Sequence, residues 1–403
     1  MLVEGIYTTA SILTDDVEEY AVQQIKQLCD LPNMEGCRIV CQPDVHPGIV
    51  STIGFTCTQP YSAPIMPALA SNDIGCSVTL AKLDVRRKPE WQKLDTVIRE
   101  NIPTGDRKRN HLHRFYEEWK SDWRVSNLHA KFNLDRAGLS LGTLGGGNHF
   151  IEVDKDSEGN YYLTIHSGSR SMGAKVYEYW IERADLETNG NGIGRTVARE
   201  LTYLSDPDSK KKYIDDVQLC RTFAQMSHRA IIDDICNAMK WDYEIVVQSM
   251  HNIISDNVDE CTYTIRKGAI EAKAGDRVII PINMRDGIVV GISKGNPEYN
   301  NSAPHGAGRI MARKEVANHH TLNEFKKEMH GIYSPTINKS TLDEAPFAYR
   351  SIDKILPKIE EIISVENIIK PVYNYKDDSK KPISAASSES MSKVLRKYQE
   401  GCD

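Results

Sequence analysis

Tyr161-Tyr-Leu-Thr-Ile-His166, followed at once by Ser167-Gly-Ser-Arg170, is the stretch on which the reading of this chain turns. Its β-branched and aromatic residues predict a strand, and the Gly/Ser segment behind it predicts a turn. It therefore ends in a histidine placed where backbone can approach a ligand closely. Outward from it, Val78-Thr-Leu-Ala-Lys-Leu-Asp-Val85 reads as a further strand. Arg38–Gln42 and Thr52–Thr56 are short β-rich runs, separated by the turn-prone Pro43-Asp-Val-His-Pro-Gly48, whose polar residues can face a cleft. Cys261 to Ile292 favours strands punctuated by Gly268, Gly275, Gly287 and Gly291. Helical spacing appears in two places. Thr14-Asp15-Asp16 opens a run with apolar Val17, Tyr20, Ala21, Ile25 and Leu28, and Lys211 to Lys240 is helical in pattern. The class is mixed α/β, of the α+β kind.

The chain has 403 residues, 40% hydrophobic and 26% charged, a globular mixture that excludes collagen-like, disordered and disulfide-scaffold classes. Apolar runs such as Val278-Ile-Ile-Pro-Ile282 are far too short to span a membrane, so no membrane partner is expected. Met1 to Ala10 contains Glu4 and lacks the basic start and apolar stretch of a secretory signal, which points to the cytoplasm. Nine cysteines without regular spacing fit a reducing compartment. A net charge of −6 means that a nucleic-acid partner must be held by a local basic patch. After Lys376 the composition shifts, so 1–376 is read as the main domain. Residues 377–403 are read as a mobile extension, a linker followed by a short helix over Met391–Glu400.

Five of the twelve histidines, His46, His149, His166, His251 and His305, lie in Gly-, Ser- or Asn-rich neighbourhoods. Asp73-Ile-Gly-Cys76 adds a carboxylate and a thiol on one turn, and with His149, His166 and His251 offers a mixed O, S and N ligand set suited to zinc or manganese. The competing reading makes Cys76 a core thiol and Asp73 an Asx-turn residue. Gly145-Gly-Gly-Asn-His149, Ser293-Lys-Gly-Asn296 and His305-Gly-Ala-Gly-Arg309 have the composition of backbone anion cradles, or of plain turns. None matches the Walker pattern or a dinucleotide fingerprint.

These segments together resemble the RtcB family of RNA ligases. The resemblance rests on Pro43–Gly48, Asp73–Cys76, Gly145-Gly-Gly-Asn-His-Phe-Ile-Glu152, His166–Arg170, His251-Asn252, Arg266-Lys-Gly-Ala269, Lys294-Gly-Asn-Pro-Glu298 and His305–Arg309. They run in family order from about residue 35 to 376. The resemblance implies a single large RtcB-like domain with a metal site in a central cleft. It also implies GTP- and Mn²⁺-dependent joining of an RNA 3′-phosphate or 2′,3′-cyclic phosphate to a 5′-hydroxyl, in RNA repair or tRNA splicing. His305 would carry GMP. Asp73, Cys76, His149, His166 and His251 would hold two Mn²⁺ ions, with the Cys76 thiolate bridging. Arg170, Lys267 and Arg309 match basic positions that clamp phosphates. Asn148, His149, Glu152, Asn283, Met284, His305, Gly306, Ala307, Gly308, Tyr349 and Lys376 match the nucleotide pocket. The partner implied is the RNA itself, with an archease-like activator as an accessory.

Three departures stand out. The family's PGSMG segment is here Pro281-Ile-Asn-Met-Arg-Asp286; Gly48-Ile-Val-Ser51 and Cys76-Ser-Val78 replace Gly-Lys-Gly and Cys-Gly-Met; and the chain runs on past Lys376. The first puts base specificity in question and leaves open a phosphoesterase that only opens cyclic ends, or an RNA-end-binding protein. For RNA contact, Asp44 and His46 lie in a family motif, and Asp106-Arg107-Lys108-Arg109 through Arg114 is the densest basic run. Asp206-Pro-Asp-Ser-Lys-Lys-Lys212 reads as merely solvated.

Overall fold

In the computed structural model, which describes residues 1–190 and 197–379, Tyr161–Ser167 lies inside a seven-stranded sheet. The order is Arg277–Asn283, Gly287–Ser293, Ile363–Tyr375, Phe150–Lys155, Tyr161–Ser167, Ser77–Asp84 and Asp242–Met250, antiparallel throughout. A six-stranded sheet holds Leu2–Glu4, Thr9–Ile12, Arg38–His46, Ile53–Pro60, Thr262–Lys267 and Asn252–Asn257. Ala269–Glu271 pairs with Ser302–Pro304 in a third, small sheet. The architecture is the mixed α/β class expected.

Strand alternation explains how the large sheet serves both a core and a cleft. Ile151, Val153, Leu163 and Ile165 are fully buried on one face, against Ile231, Ile232 and Ile235 of the helix Pro207–Met239. Each such side chain contributes about 1.5–3 kcal/mol when removed from water. On the opposite face of the same strands stand Glu152, Asp154, Thr164 and His166, which are also buried although polar. That helix starts where Asp206 accepts from the Ser209 N–H at 2.8 Å and Pro207 occupies the first turn. Lys210, expected to be solvated, is instead buried, with its ammonium donating to the carbonyls of Tyr61 at 2.7 Å and Ala63 at 3.0 Å. The reason is helical phase, because one residue of a charged triplet must fall on the inner face.

Three further expectations are corrected. The first helix spans Glu19–Cys29 with Ala21, Ile25 and Leu28 buried, and Asp15 and Asp16 precede it; Asp16 takes an ion pair from Arg350 at 3.3 Å. Pro43–His46 is the end of a strand and not a turn, though the pairing with Ile53–Pro60 loses register between Cys41 and His46. Pro43 has no N–H for the ladder, so the strand bulges there. Asp377 is buried and the Ser340 hydroxyl donates to the Asp378 carbonyl at 3.1 Å, so the extension starts packed, and Ser379 is exposed. The expected helix over Met391–Glu400 lies outside the described residues.

Candidate active site

Sheet register gathers residues that are far apart in sequence. Ser77 pairs with both Ser167 and Met250, and His166 pairs with Val78 and Phe150. Cys76, His149, His166 and His251, each within one residue of a strand end, therefore meet at one end of the sheet. His251 sits where the chain leaves the seven-stranded sheet for the six-stranded one. The Cys76 Sγ lies 3.5 Å from His149 Nε2 and 3.3 Å from His166 Nε2. His166 and His251 face each other Nε2 to Nε2 at 3.4 Å, and Asp73 Oδ2 lies 3.1 Å from His149 Nε2. Gly168 is required here, because a Cβ would run into the Asp73 carboxylate.

These contacts form two three-donor groups, Asp73–Cys76–His149 and Cys76–His166–His251, with the thiol common to both. The donor chemistry fits cations. His149 donates its Nδ1 proton to the Leu144 carbonyl at 3.1 Å, which aims its Nε2 at a thiol and a carboxylate. Burial holds His166 and His251 neutral, well below the ordinary imidazole range, as ligands must be. Burial and the neighbouring Asp73 carboxylate push the Cys76 thiol up, so its ionisation calls for a positive ion beside it.

His305 enters from the small sheet, its ring centroid 4.9 Å from that of His251. Asp44, aimed by the bulge, accepts from His305 Nδ1 at 2.7 Å and from the backbone N–H groups of His305 and Gly306 at 3.1 and 3.2 Å. The Nδ1 proton is thus tied down, so the neutral ring carries its lone pair on Nε2. Gly308 takes a φ of +77° where a Cβ would meet the Asp44 carbonyl, which explains the glycine.

A cleft of about 880 Å³ runs outward from this centre, lined by Asn148, Glu152, Asn283, Met284, Gly306, Ala307, Gly308, Arg309, Tyr349 and Lys376, as well as His46 and Lys267. Arg309 donates to the Tyr349 hydroxyl at 3.1 Å and to the Asp343 carbonyl at 2.8 Å. Lys267 reaches the Ile49 carbonyl and both oxygens of Ser51, and burial lowers its ammonium to about 7. Those carbonyls flank Val50, whose φ of +68° is a strained conformation for a β-branched residue. Arg170 is turned to the Gly105 carbonyl at 2.8 Å and lies outside the cleft lining. Asn283 spends its amide on its own turn, donating to Asp286 at 2.9 Å and accepting from the Arg285 and Asp286 N–H groups.

Sequence reasoning missed Glu344, Arg313, Asn374 and Asp154. Glu344 is buried and gathers Lys376 at 2.9 Å, the Tyr349 hydroxyl at 2.8 Å, Arg313, and Arg309 at 3.6 Å. No histidine or glycine signal surrounds it, since only tertiary contact makes it a hub. The Ser293–Asn296 stretch lies away from the cleft, with Lys294 donating to the Glu360 carbonyl. Asp44 is wholly buried against His305, which removes it from the RNA surface where it was expected. Arg109 donates to the carbonyls of Leu141 and Gly142 and to Asp234 at 2.6 Å, so it braces the chain instead of facing solvent. Arg107 donates to Thr104, and Lys108 is exposed, with its amine on the Arg136 carbonyl at 3.1 Å.

The sequence profile of the family described as tRNA-splicing ligase RtcB matches residues 24–377. The chain belongs to the RtcB family. It is similar to the RNA-splicing ligase RtcB of Escherichia coli strain K12, 27% identical over 387 residues that cover 87% of this chain and 92% of that one. RNA-splicing ligase RtcB2 of Escherichia coli strain ATCC 25922 is 28% identical over 381 residues, covering 88% and 90%. The tRNA-splicing ligase RtcB of Methanococcus maripaludis is 24% identical over 438 residues, covering 88% and 90%. As an RtcB chain, this one carries the cysteine, histidine and aspartate cluster at the base of its cleft, and no helix among its described residues is long and apolar enough to cross a membrane.

Proposed function

We propose that this RtcB chain is an RNA ligase that seals RNA 3′-phosphate or 2′,3′-cyclic phosphate ends to 5′-hydroxyl ends, in the cytoplasm, by way of a histidine–GMP intermediate. The observation that carries the reading is the Asp44–His305 pair, which leaves Nε2 bare beside His251. Neutral imidazole is a competent nucleophile when its far nitrogen is held. His305 Nε2 attacks the α-phosphorus of GTP, an N–P bond forms, and the P–O bond to pyrophosphate breaks. Asp44 balances the positive charge that the ring acquires. An oxygen of the RNA 3′-phosphate then takes GMP from His305, breaking the N–P bond. The 5′-hydroxyl loses its proton, attacks the RNA 3′-phosphorus and expels GMP, leaving a phosphodiester.

Asp73, Cys76, His149, His166 and His251 would hold two Mn²⁺ ions. Bound there, the metal supplies charge neutralisation and alignment of phosphate oxygens for in-line displacement. Burial alone would raise the Asp73 carboxyl, but bonding to His149 and Cys76 brings it to about 2, so it is an anion at every working pH. Asn148, Glu152, Tyr349 and Lys376, which line the cleft, would receive the nucleotide, and the exposed Lys108 with Arg107 would meet the RNA backbone. An archease-like protein is the candidate accessory.

Label from α-phosphate-labelled GTP, retained through denaturing electrophoresis in the presence of Mn²⁺, tests the reading. It should be acid-labile, alkali-stable and absent in His305→Ala. Cyclic-end opening without any label would favour the phosphoesterase, a reading that Asn283's engagement with its own turn keeps in play.

A further inference from the structure

Glu152 and Asp154 stand two residues apart on one face of Phe150–Lys155, at 2% and 0% exposure, and they contact each other. The Asn374 amide donates to Glu152 Oε2 at 2.5 Å, and the Thr164 hydroxyl donates to Asp154 Oδ2 at 2.7 Å. Asp154 Oδ1 has no hydrogen-bond partner. The cation that acts on Glu152 is Lys376, yet its ammonium donates to Glu344 at 2.9 Å and to the Asn148 carbonyl at 3.2 Å. Glu344 also draws Arg309 and Arg313. On the charge count, the three cations answer to Glu344, and the Glu152–Asp154 pair is left without one of its own. Two buried carboxyl groups in contact, with no cation between them, resist being ionised together, so the pair keeps one proton near neutral pH and gives it up only as pH rises. Burial raises both, and the charge of Asp154 adds to the effect on Glu152.

Glu152 lines the cleft and Asp154 lies behind it. We propose that Asp154 determines base selectivity by sharing one proton with Glu152, so that Glu152 meets a base edge either as an acceptor or as a donor. This inference rests on the nucleotide-transfer reading above. A guanine presents N–H donors on its Watson–Crick edge. The proton then passes from Glu152 to Asp154, whose Oδ1 is free to take it, and Glu152 accepts as a carboxylate without change in net charge. An adenine presents its N1 acceptor and needs the proton kept on Glu152. Asp154 is thus a positioning residue acting through Glu152. The groups that face the pair are Asn374 and Lys376 from the Ile363–Tyr375 side and Thr164 from Tyr161–Ser167; Tyr162, opposite Asp154, is turned to Asp156 at 3.0 Å.

The test measures kcat/KM for self-labelling by GTP and by ATP with Mn²⁺ from pH 6.5 to 8.5. In the native chain the GTP-to-ATP ratio should rise about tenfold over this range, because loss of the pair's one proton removes the adenine mode and spares the guanine mode, and a proton-linked step changes by up to tenfold per pH unit. In Asp154→Asn, where one ionisable carboxyl remains, GTP labelling should persist and the ratio should change less than about twofold. Parallel GTP and ATP profiles in the native chain, or an unchanged slope in Asp154→Asn, would overturn the proposal. Infrared difference spectra need no turnover: a protonated-carboxyl stretch at pH 6.5 that fades by pH 9 and is missing in Asp154→Asn is expected, and its absence from the native chain would refute the shared proton. Absence of label with every nucleotide, while that band is present, would remove the ligase reading and leave the proton-sharing pair standing.

Discussion

Asp44 Oδ2 holds the ring of His305 at 2.7 Å and the same residue's backbone N–H at 3.1 Å. One buried oxygen therefore fixes both the position of the ring and its tautomer. Asp44→Asn keeps the shape but can present an N–H to Nδ1, which would move the ring proton to Nε2 and blunt the nucleophile. The expected loss of GTP self-labelling is about 10²–10⁴-fold, as when the orienting carboxylate of another histidine site is removed. Circular dichroism should show an unchanged fold, and labelling within tenfold of native would sink the orienting role.

Cys76 is common to both three-donor groups, whereas His149 and His251 each belong to one. Elemental analysis after Mn²⁺ loading and desalting should give fewer ions per chain for Cys76→Ala than for His149→Ala or His251→Ala. Equal losses in all three variants would mean that the thiol is not shared. Chelation of the loaded protein should lower its melting temperature, because an ion bound only by the folded state stabilises it by mass action.

Glu344 accepts from Lys376 and Tyr349 and pairs with Arg309 and Arg313. Burial acting alone would raise its carboxyl, but Arg313, Lys376 and Arg309 hold it well below the ordinary range. A folded-state pKa below the unfolded value means that the unfolded chain binds more protons on the acid side. The stabilisation is therefore complete above the unfolded carboxylate range of about 4.3 and is lost as pH falls below it. Glu344→Gln should cost about 3–5 kcal/mol at pH 7 by stranding buried cations, with the difference from native narrowing towards pH 3. Urea midpoints at pH 7, 4.5 and 3 measure this, and a constant difference would contradict it.

Lys210 and Lys211 are neighbours in sequence but opposite in environment, the first buried on the carbonyls of Tyr61 and Ala63 and the second exposed. Lys210→Ala should destabilise by about 1–3 kcal/mol through unsatisfied buried acceptors, while Lys211→Ala stays within about 0.5 kcal/mol. Equal thermal shifts in the two variants would refute the buried role.

Arg109 and Lys108 separate a brace from a candidate RNA contact. Arg109→Ala, which breaks bonds to Leu141, Gly142 and Asp234, should lower the melting temperature. Lys108→Ala should leave it unchanged and reduce the salt dependence of RNA binding by about one unit of slope. An unchanged slope in Lys108→Ala would remove that loop from the RNA path.

Much of the site was legible because its residues carry local signals. Asp73, Cys76, His149, His166, His251 and His305 each sit beside glycine, serine or asparagine in short segments that a chain reader can pick out. Strands such as Tyr161–Ser167 were readable because aromatic and β-branched residues gather in them ahead of a Gly/Ser turn. Pro43–His46 was misread because a proline next to an aspartate signals a turn locally, while pairing with Ile53–Pro60 holds the segment extended. Glu344, Arg313 and Asn374 carry no local signal at all.

By itself the sequence determined the mixed α/β class, the family resemblance and the identities of the sulfur, nitrogen and oxygen donors, because these depend on residue type and near-neighbour pattern. Tertiary structure alone decided which donors share Cys76, that Asp44 serves His305, that Glu344 claims Lys376, and that Glu152 and Asp154 are left to each other. Those relationships are set by antiparallel register between strands up to hundreds of positions apart, and by the exclusion of water from the cleft walls, which turns ordinary charged side chains into obligate partners.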